Sequence, residues 1–342
     1  MKYILVGDMH FGAKKNSEDF SGRILDFMDS VVDYAQTNAI DALIQFGDYF
    51  DSRNSINVAT LNYAIEGAKK WNRYFGKKDL TFILGNHDLY HLHKIDHTSM
   101  KVLTPYVHVI DRPVVLDDGI VVAPWIVDQA MWDRVIELSN ENRVLMSHLE
   151  LNGFMVNDHY LMEHGYSHTE LKNYDLVLTG HYHSQQKKDN VQYIGTPYPI
   201  SMNEANESHG FWVFDSETLE LEFIEYTGIR AISVSYEDIV EDKVDLSNPD
   251  GTSIRIEFPD DLDDETMIEE VRSSLEEKGF QDIKVKYRGN KAKEILEEDV
   301  EEISNVENID QLVISYLDKS SDVEGVDKDK LKTLYKKAMD TV

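Results

Sequence analysis

The sequence predicts an α/β fold built on a largely parallel central sheet, and three observations carry that expectation. From the amino terminus, short apolar runs alternate with stretches of helical periodicity, the rhythm of βαβ units. The early runs give way to Gly, Asp, Asn or His. At 342 residues and 42% hydrophobic content, the chain is long enough for one large core plus smaller units.

Taken in order, Lys2–Gly7 is a run suited to a buried strand. Phe20, Ile24, Phe27, Val31 and Ala35 recur at helical spacing. Ala42–Phe46 is the next strand, Asn57–Phe75 a helix with Asn57 as its cap, and Leu80–Leu84 a third strand. Later segments read as hairpins: "VVLDDGIVVAPW" turns around Asp118–Gly119, and "FWVFDSETLELEFIEY" around Ser216–Thr218. The second half of this domain is therefore expected to lean toward antiparallel pairing. Arg143–Met146, Leu176–Thr179 and Val191–Ile194 are further short strands.

After about residue 229 the pattern changes. "RAISVSYEDI" and "GTSIRIEF", a strongly acidic helix near Glu265–Lys278 and "DIKVKYR" suggest a small βαβ-like unit. "KEILEEDVEEIS" reads as a charged connector. Val306, Ile309, Val313, Tyr316 and Leu317 form one helical stripe, and Leu331, Leu334, Tyr335, Ala338 and Met339 another. Two such amphipathic helices need a cover for their apolar faces, either the main domain or a partner.

Composition narrows the function. There is no cysteine, so disulfides and thiolate metal sites are excluded, and any metal is held by oxygen and imidazole nitrogen. No apolar stretch approaches a membrane span, and "MKYILVGDMH" turns polar too early for a signal peptide, which points to the cytoplasm. A formal charge of −30 works against nucleic-acid binding, which rests mainly on Lys and Arg neutralising phosphates. The pairs Lys14–Lys15, Lys69–Lys70, Lys77–Lys78 and Lys187–Lys188 offer local exceptions, although solvated surface is the plainer explanation of each.

The strand ends carry the chemistry. Asp8 and His10 follow the first strand, Asp48 the second and Asn86, His87 and Asp88 the third, while His148 and the pair His181 and His183 follow two later ones. Ligands of open α/β sheets gather at the carboxyl ends of strands, where the loops converge. Asp, His and Asn without Cys suit a divalent ion of intermediate hardness such as Mn²⁺ or Fe²⁺, and Mg²⁺ less well. Four imidazoles and two carboxylates exceed the needs of one ion, so two ions sharing a carboxylate are the economical inference, an arrangement that serves phosphoester hydrolysis.

The fragments D-x-H at Asp8–His10, G-D at Gly47–Asp48, G-N-H-D at Gly85–Asp88, His148 and G-H-x-H at Gly180–His183 resemble the calcineurin-like metallophosphoesterases, over most of residues 1–215. That resemblance implies a four-layer fold of sheets flanked by helices. It also implies that Asp8, His10, Asp48 and His183 hold one ion and Asp48, Asn86, His148 and His181 the other, with Asp48 bridging. His87 stays off the metals and serves catalysis as hydrogen-bond donor or general acid, Gly85 lets the chain turn, and Asp88 orients an imidazole or caps a helix.

More narrowly, "GDYFDSR", "SHLELNG", "YIGTPYP" and "GFWVFD" look like the SbcD-type nucleases of double-strand-break repair, and most of all their phage members. This likeness implies a nuclease domain over 1–228, a small α/β capping domain that helps hold DNA over 229–290, a linker over 291–302 and a helical segment over 303–342. The helices would dock on an SMC-like ABC ATPase of the SbcC type. It further implies Mn²⁺-dependent 3′-to-5′ exonuclease and single-strand endonuclease activity, and a homodimer formed through Asn57–Phe75 and the stretch near Thr98–Leu103. Asp51 departs from the pattern, standing where many cellular members have a second active-site His; as a neighbour of the metal ligands it leaves the exonuclease and endonuclease balance open. His91, His93 and His97 read as surface or DNA-facing loop, not ligands. The rivals are a phosphodiesterase of small phosphoesters or cyclic nucleotides, and a metal-free scaffold.

Overall fold

A computed structural model describes residues 1–157, 160–259 and 265–288. The expected linker over 291–302 and helical segment over 303–342 lie outside the described residues. The chain divides into two compact units, Met1–Ile256 with Glu265–Lys284 and Glu257–Asp264 with Val285–Val342. The two large sheets and the strand-end residues belong to the first.

In the first sheet the strand order is Leu221–Glu225, Gly210–Asp215, Lys2–Val6, Ala42–Gln45, Leu80–Ile83, His108–Ile110. The last four run parallel, and the first two close the edge as an antiparallel hairpin. The second sheet runs Gln186–Lys188, Val191–Tyr193, Leu176–Gly180, Val144–His148, Ile120–Ala123, Val114–Val115. Its four central strands are parallel and only its outer pairs antiparallel. The expected antiparallel bias of this half is therefore corrected. Parallel strands need crossovers, and the helix Gln129–Leu138 supplies one between Ile120–Ala123 and Val144–His148.

Alternation within single strands explains the layering, because successive side chains point to opposite faces. Tyr3 and Leu5 join Ile44, Phe46, Val122, Met146, Leu178 and Ile194 in one buried cluster, so the sheets lie face to face. Ile4 and Val6 instead meet Ile24, Phe27, Val31, Ala64 and Trp71 of the helices Glu18–Asn38 and Val58–Phe75. On the second sheet, Val121, Leu145 and Val177 meet Trp132 and Val135 of Gln129–Leu138. Strands buried on both faces read as unbroken apolar runs, and the result is the expected four-layer calcineurin-like metallophosphoesterase architecture.

The helix boundaries follow capping chemistry. Asn57 accepts from the Ala59 N–H at 2.8 Å, as its position before the helix leads one to expect, and Ser17 accepts from the Phe20 N–H at 3.2 Å. After residue 229, the strands Arg230–Ser235, Thr252–Phe258 and Asp282–Tyr287 form a three-stranded sheet, with the helix Glu265–Lys278 preceding the last strand in sequence. Among the described residues no helix is long and apolar enough to cross a membrane.

Candidate metal centre

The loops leaving the parallel strands are tied together before any side chain is considered. The buried Gln45 side chain donates to the Gly7 carbonyl at 3.2 Å and the Gly47 carbonyl at 2.6 Å, and accepts from the Gly47 N–H at 3.2 Å. Met9 and His10 both donate their backbone N–H to the Asp48 carbonyl, at 3.1 and 3.0 Å. His10, Asp48 and His181 have φ of 48°, 48° and 94°, the left-handed region that non-glycine residues seldom adopt. Such conformations cost roughly 1–3 kcal/mol each and cluster at functional sites. Here they turn three strand ends inward.

Close approach decides the glycines. Gly85 has an ordinary φ, so turning is not what requires it; a Cβ there would lie 2.1 Å from Asp48 Oδ1. A Cβ on Gly180 would lie 2.5 Å from Asp8 Oδ1. Both positions bring a backbone against a buried carboxylate.

Two clusters result. Asp8, His10 and His183 offer ligand atoms within 4.8 Å of one another, and so do Asp48, His148 and His181. In the first, His10 Nδ1 donates to Asp51 Oδ1 at 3.1 Å and His183 Nδ1 donates to Glu204 Oε1 at 3.1 Å. With both protons so placed, His10 Nε2 and His183 Nε2 face each other as lone pairs at 3.2 Å. Two bare nitrogens at that distance repel unless a proton or a metal cation lies between them. In the second cluster, His148 Nδ1 donates to the Phe46 carbonyl at 2.7 Å, leaving Nε2 2.7 Å from Asn86 Oδ1 and 3.4 Å from Asp48 Oδ2. His181 Nδ1 lies 3.1 Å from the same Asn86 oxygen. Imidazole nitrogens and carboxylate and amide oxygens converging in this way fit a divalent cation of intermediate hardness, in both clusters.

Electrostatics agrees with that demand for positive charge. Burial pushes the Asp8 carboxyl up. Burial also opposes ionisation of Asp48, but His148 and the other imidazoles hold it well below the usual carboxylate range. Burial pulls His10 down, yet Asp51 and the other carboxylates lift it to about 9; His148, likewise opposed by burial, is lifted to about 10 by Asp48 and Asp8. Without a metal, protons on these imidazoles balance the carboxylates. Metal binding would displace them.

His87 stands apart from both clusters. Its backbone N–H donates to Asp48 Oδ1 at 2.8 Å, its Nδ1 donates to the Asp51 carbonyl at 2.5 Å, and its ring packs edge-on against His10 with centroids 5.1 Å apart. Burial pulls this imidazole down to about 4. Asp88 departs from expectation: its oxygens accept from the Gly85 and Phe50 N–H groups at 3.0 and 3.2 Å, so it joins two loops and neither orients an imidazole nor caps a helix. Asp51 does orient an imidazole, that of His10.

Sequence reasoning passed over Glu204. This buried carboxylate holds His183 Nδ1 through one oxygen and accepts from the Thr196 hydroxyl and the Ile200 N–H through the other, at 3.2 and 3.0 Å. Its Ser201-x-x-Glu204 spacing is a capping-box signal, and that box is present. Burial raises its pKa, but His183 prevails and holds the group at about 2. Trp125 was also overlooked; its ring lies 5.2 Å from that of His181 and 6.0 Å from that of His148.

Comparison with known proteins bears on this geometry. The calcineurin-like phosphoesterase profile matches residues 1–185. Exonuclease subunit 1 of Enterobacteria phage T4 is 33% identical over 231 residues, 66% of this chain and 67% of that protein. The DNA double-strand break repair protein Mre11 of Nanoarchaeum equitans (strain Kin4-M) is 26% identical over 118 residues, 34% of this chain and 28% of that protein. Among solved structures, a dimetal phosphatase from Danio rerio aligns with a TM-score of 0.40 and 11% identity, over 62% of this chain and 91% of the other.

Proposed function

Since this chain belongs to the calcineurin-like phosphoesterase family of metal-dependent hydrolases, we propose that it is the nuclease subunit of a DNA repair and recombination complex, cleaving phosphodiester bonds with two divalent ions, Mn²⁺ foremost. The observation that carries the reading is the meeting of two ligand clusters at one rim, in a chain 33% identical over 231 residues to a phage exonuclease subunit. Asp8, His10, Asp48 and His183 would hold one ion, and Asp48, Asn86, His148 and His181 the other, with Asp48 shared. When bound, such a pair supplies Lewis acidity to the phosphoryl group and lowers the pKa of water.

The chain's own residues do the rest. Asp51 and Glu204 fix the tautomers of His10 and His183, keeping both Nε2 atoms available as ligands. Trp125 packs beside His181 and His148 and limits their movement. His87, anchored through Nδ1 on the Asp51 carbonyl, is left with Nε2 to exchange a proton with substrate. As water, giving up a proton to solvent, forms its bond to phosphorus, the bond to the 3′ oxygen breaks. His87 protonates that oxygen only as imidazolium, so the charge of the bound phosphate has to raise it from the value of about 4 it has in the empty site.

The reading extends to 3′-to-5′ exonuclease and single-strand endonuclease activity in the cytoplasm, to DNA held with the help of residues 229–290, and to a homodimer through Asn57–Phe75 and the stretch near Thr98–Leu103. It also assigns residues 303–342 to an SbcC-type SMC-like ABC ATPase. Deleting 303–342 should leave basal Mn²⁺-dependent cleavage intact and abolish ATPase binding on a sizing column. The direct test is hydrolysis of linear DNA in Mn²⁺ and in Mg²⁺, beside bis(p-nitrophenyl) phosphate and cyclic nucleotides. Turnover of the small diesters with no cleavage of DNA would replace the nuclease reading with that of a small-substrate phosphodiesterase.

A further inference from the structure

A second set of rings lies beside the metal centre, unaccounted for by metal binding. Directly after Asp88 the chain makes a hairpin, Leu89–His91 against Lys94–Thr98. Tyr90 is 52% exposed, and His91, His93 and His97 are exposed as well. These rings are ordered against one another: Tyr90 meets His91 edge-on with centroids 4.7 Å apart, and His91 meets His97 at 6.3 Å. His97 Nδ1 also lies 3.2 Å from Asp96 Oδ1. Trp125 joins the hairpin to the rim. Its indole N–H donates to the Leu92 carbonyl at 3.2 Å, its backbone N–H donates to the Leu84 carbonyl at 2.7 Å, and its partly exposed ring packs against His181.

We infer that Trp125 and the hairpin rings of Tyr90, His91 and His97 form a stacking track for the unpaired bases of a nucleic-acid strand leading to the metal rim. The inference rests on the nuclease reading and deepens it by naming the side chains that hold an unpaired strand at the point of entry. Three observations favour it. Every base offers a flat face that stacks on Tyr, Trp or His whatever its identity, so a run of exposed rings binds a strand without sequence preference. A chain carrying a formal −30 has little general attraction for a polyanion, so contacts to bases matter more than contacts to phosphate. Finally, Trp125 packs on the ligand His181 and holds the hairpin backbone at the Leu92 carbonyl, which ties the hairpin that carries the other rings to the metal rim.

Binding of a short phosphorothioate-linked single strand, followed by fluorescence anisotropy on the full chain in Mn²⁺, separates bases from backbone. The triple variant Tyr90→Ala, His91→Ala, His97→Ala should bind the base-bearing strand roughly 5- to 150-fold more weakly per stacked base lost, and a strand of abasic sites less than about twofold more weakly. Tyr90→Phe keeps the ring and should bind like the parent. Equal weakening for both strands, or none for either, overturns the inference. Loss of a dimer on a sizing column with unchanged base dependence overturns it too, in favour of a protein contact. A parent chain that hydrolyses bis(p-nitrophenyl) phosphate yet neither binds nor cleaves any strand overturns the nuclease reading itself, an outcome distinct from the others.

Discussion

The two sheets bring different chemistry to the same rim. Loops of the first sheet contribute Asp8, Asp48 and Asn86 with one facing imidazole, His10, whereas the second contributes imidazoles alone, His148, His181 and His183. The acidic half leans on the imidazole half: His148 is the largest influence lowering Asp48, and Asp48 the largest raising His148. Each cluster draws on both sheets, so neither is complete until the sheets stack. The difference teaches that the centre is a property of the seam, and that cations there replace protons that would otherwise hold two buried carboxylates in place.

The largest expected effect separates His87 from the ligands on its own side of the seam. His87→Ala should lower turnover by roughly 10²–10⁴-fold, the range of general acid–base catalysis, while elemental analysis still finds two ions per chain. Loss of metal with that substitution would make His87 a ligand and redraw the first half. Next comes the support of His183. Glu204→Gln should weaken metal binding about 10–100-fold in calorimetric titration, with the loss concentrated in the ion beside His10. Equal weakening of both ions would show that Glu204 acts on the fold and not through His183.

Chelation tests whether the seam is stabilised by what it holds. An ion present at a hundred times its dissociation constant adds about 2.7 kcal/mol to folding stability, so EDTA should lower the melting temperature by several degrees, as read by scanning fluorimetry. An unchanged melting temperature would break the link between ions and sheet stacking. The smallest effect is a control far from the seam. Asn57→Ala removes a helix cap and should cost about 1 kcal/mol in denaturant unfolding without altering metal affinity.

The ease of reading these halves from sequence differs for physical reasons. Strand ends were legible because a buried run that stops at Gly-Asp or Gly-Asn-His breaks a local rule, and local rules are visible in one dimension. The parallel core of the second sheet was not, because the helix Gln129–Leu138 that makes its crossover was passed over in favour of nearby turn signals. Glu204 lies 21 residues from the His183 it holds, and its capping box points only to its own 3₁₀ turn. Asp88 looked like a partner for an imidazole because carboxylates near metal sites often are; its actual partners, the Gly85 and Phe50 amides, emerge only when two loops close. Gly85 was noticed as a turn former, while its real constraint is the oxygen of Asp48 pressed against it.

Metal stoichiometry of Asp48→Asn, by equilibrium dialysis and elemental analysis beside the parent chain, bears most directly on the shared carboxylate. Two ions per parent chain and weakened binding of both in the variant are the predicted result. A variant that keeps either ion at the parent's affinity would mean that no common oxygen joins the two halves.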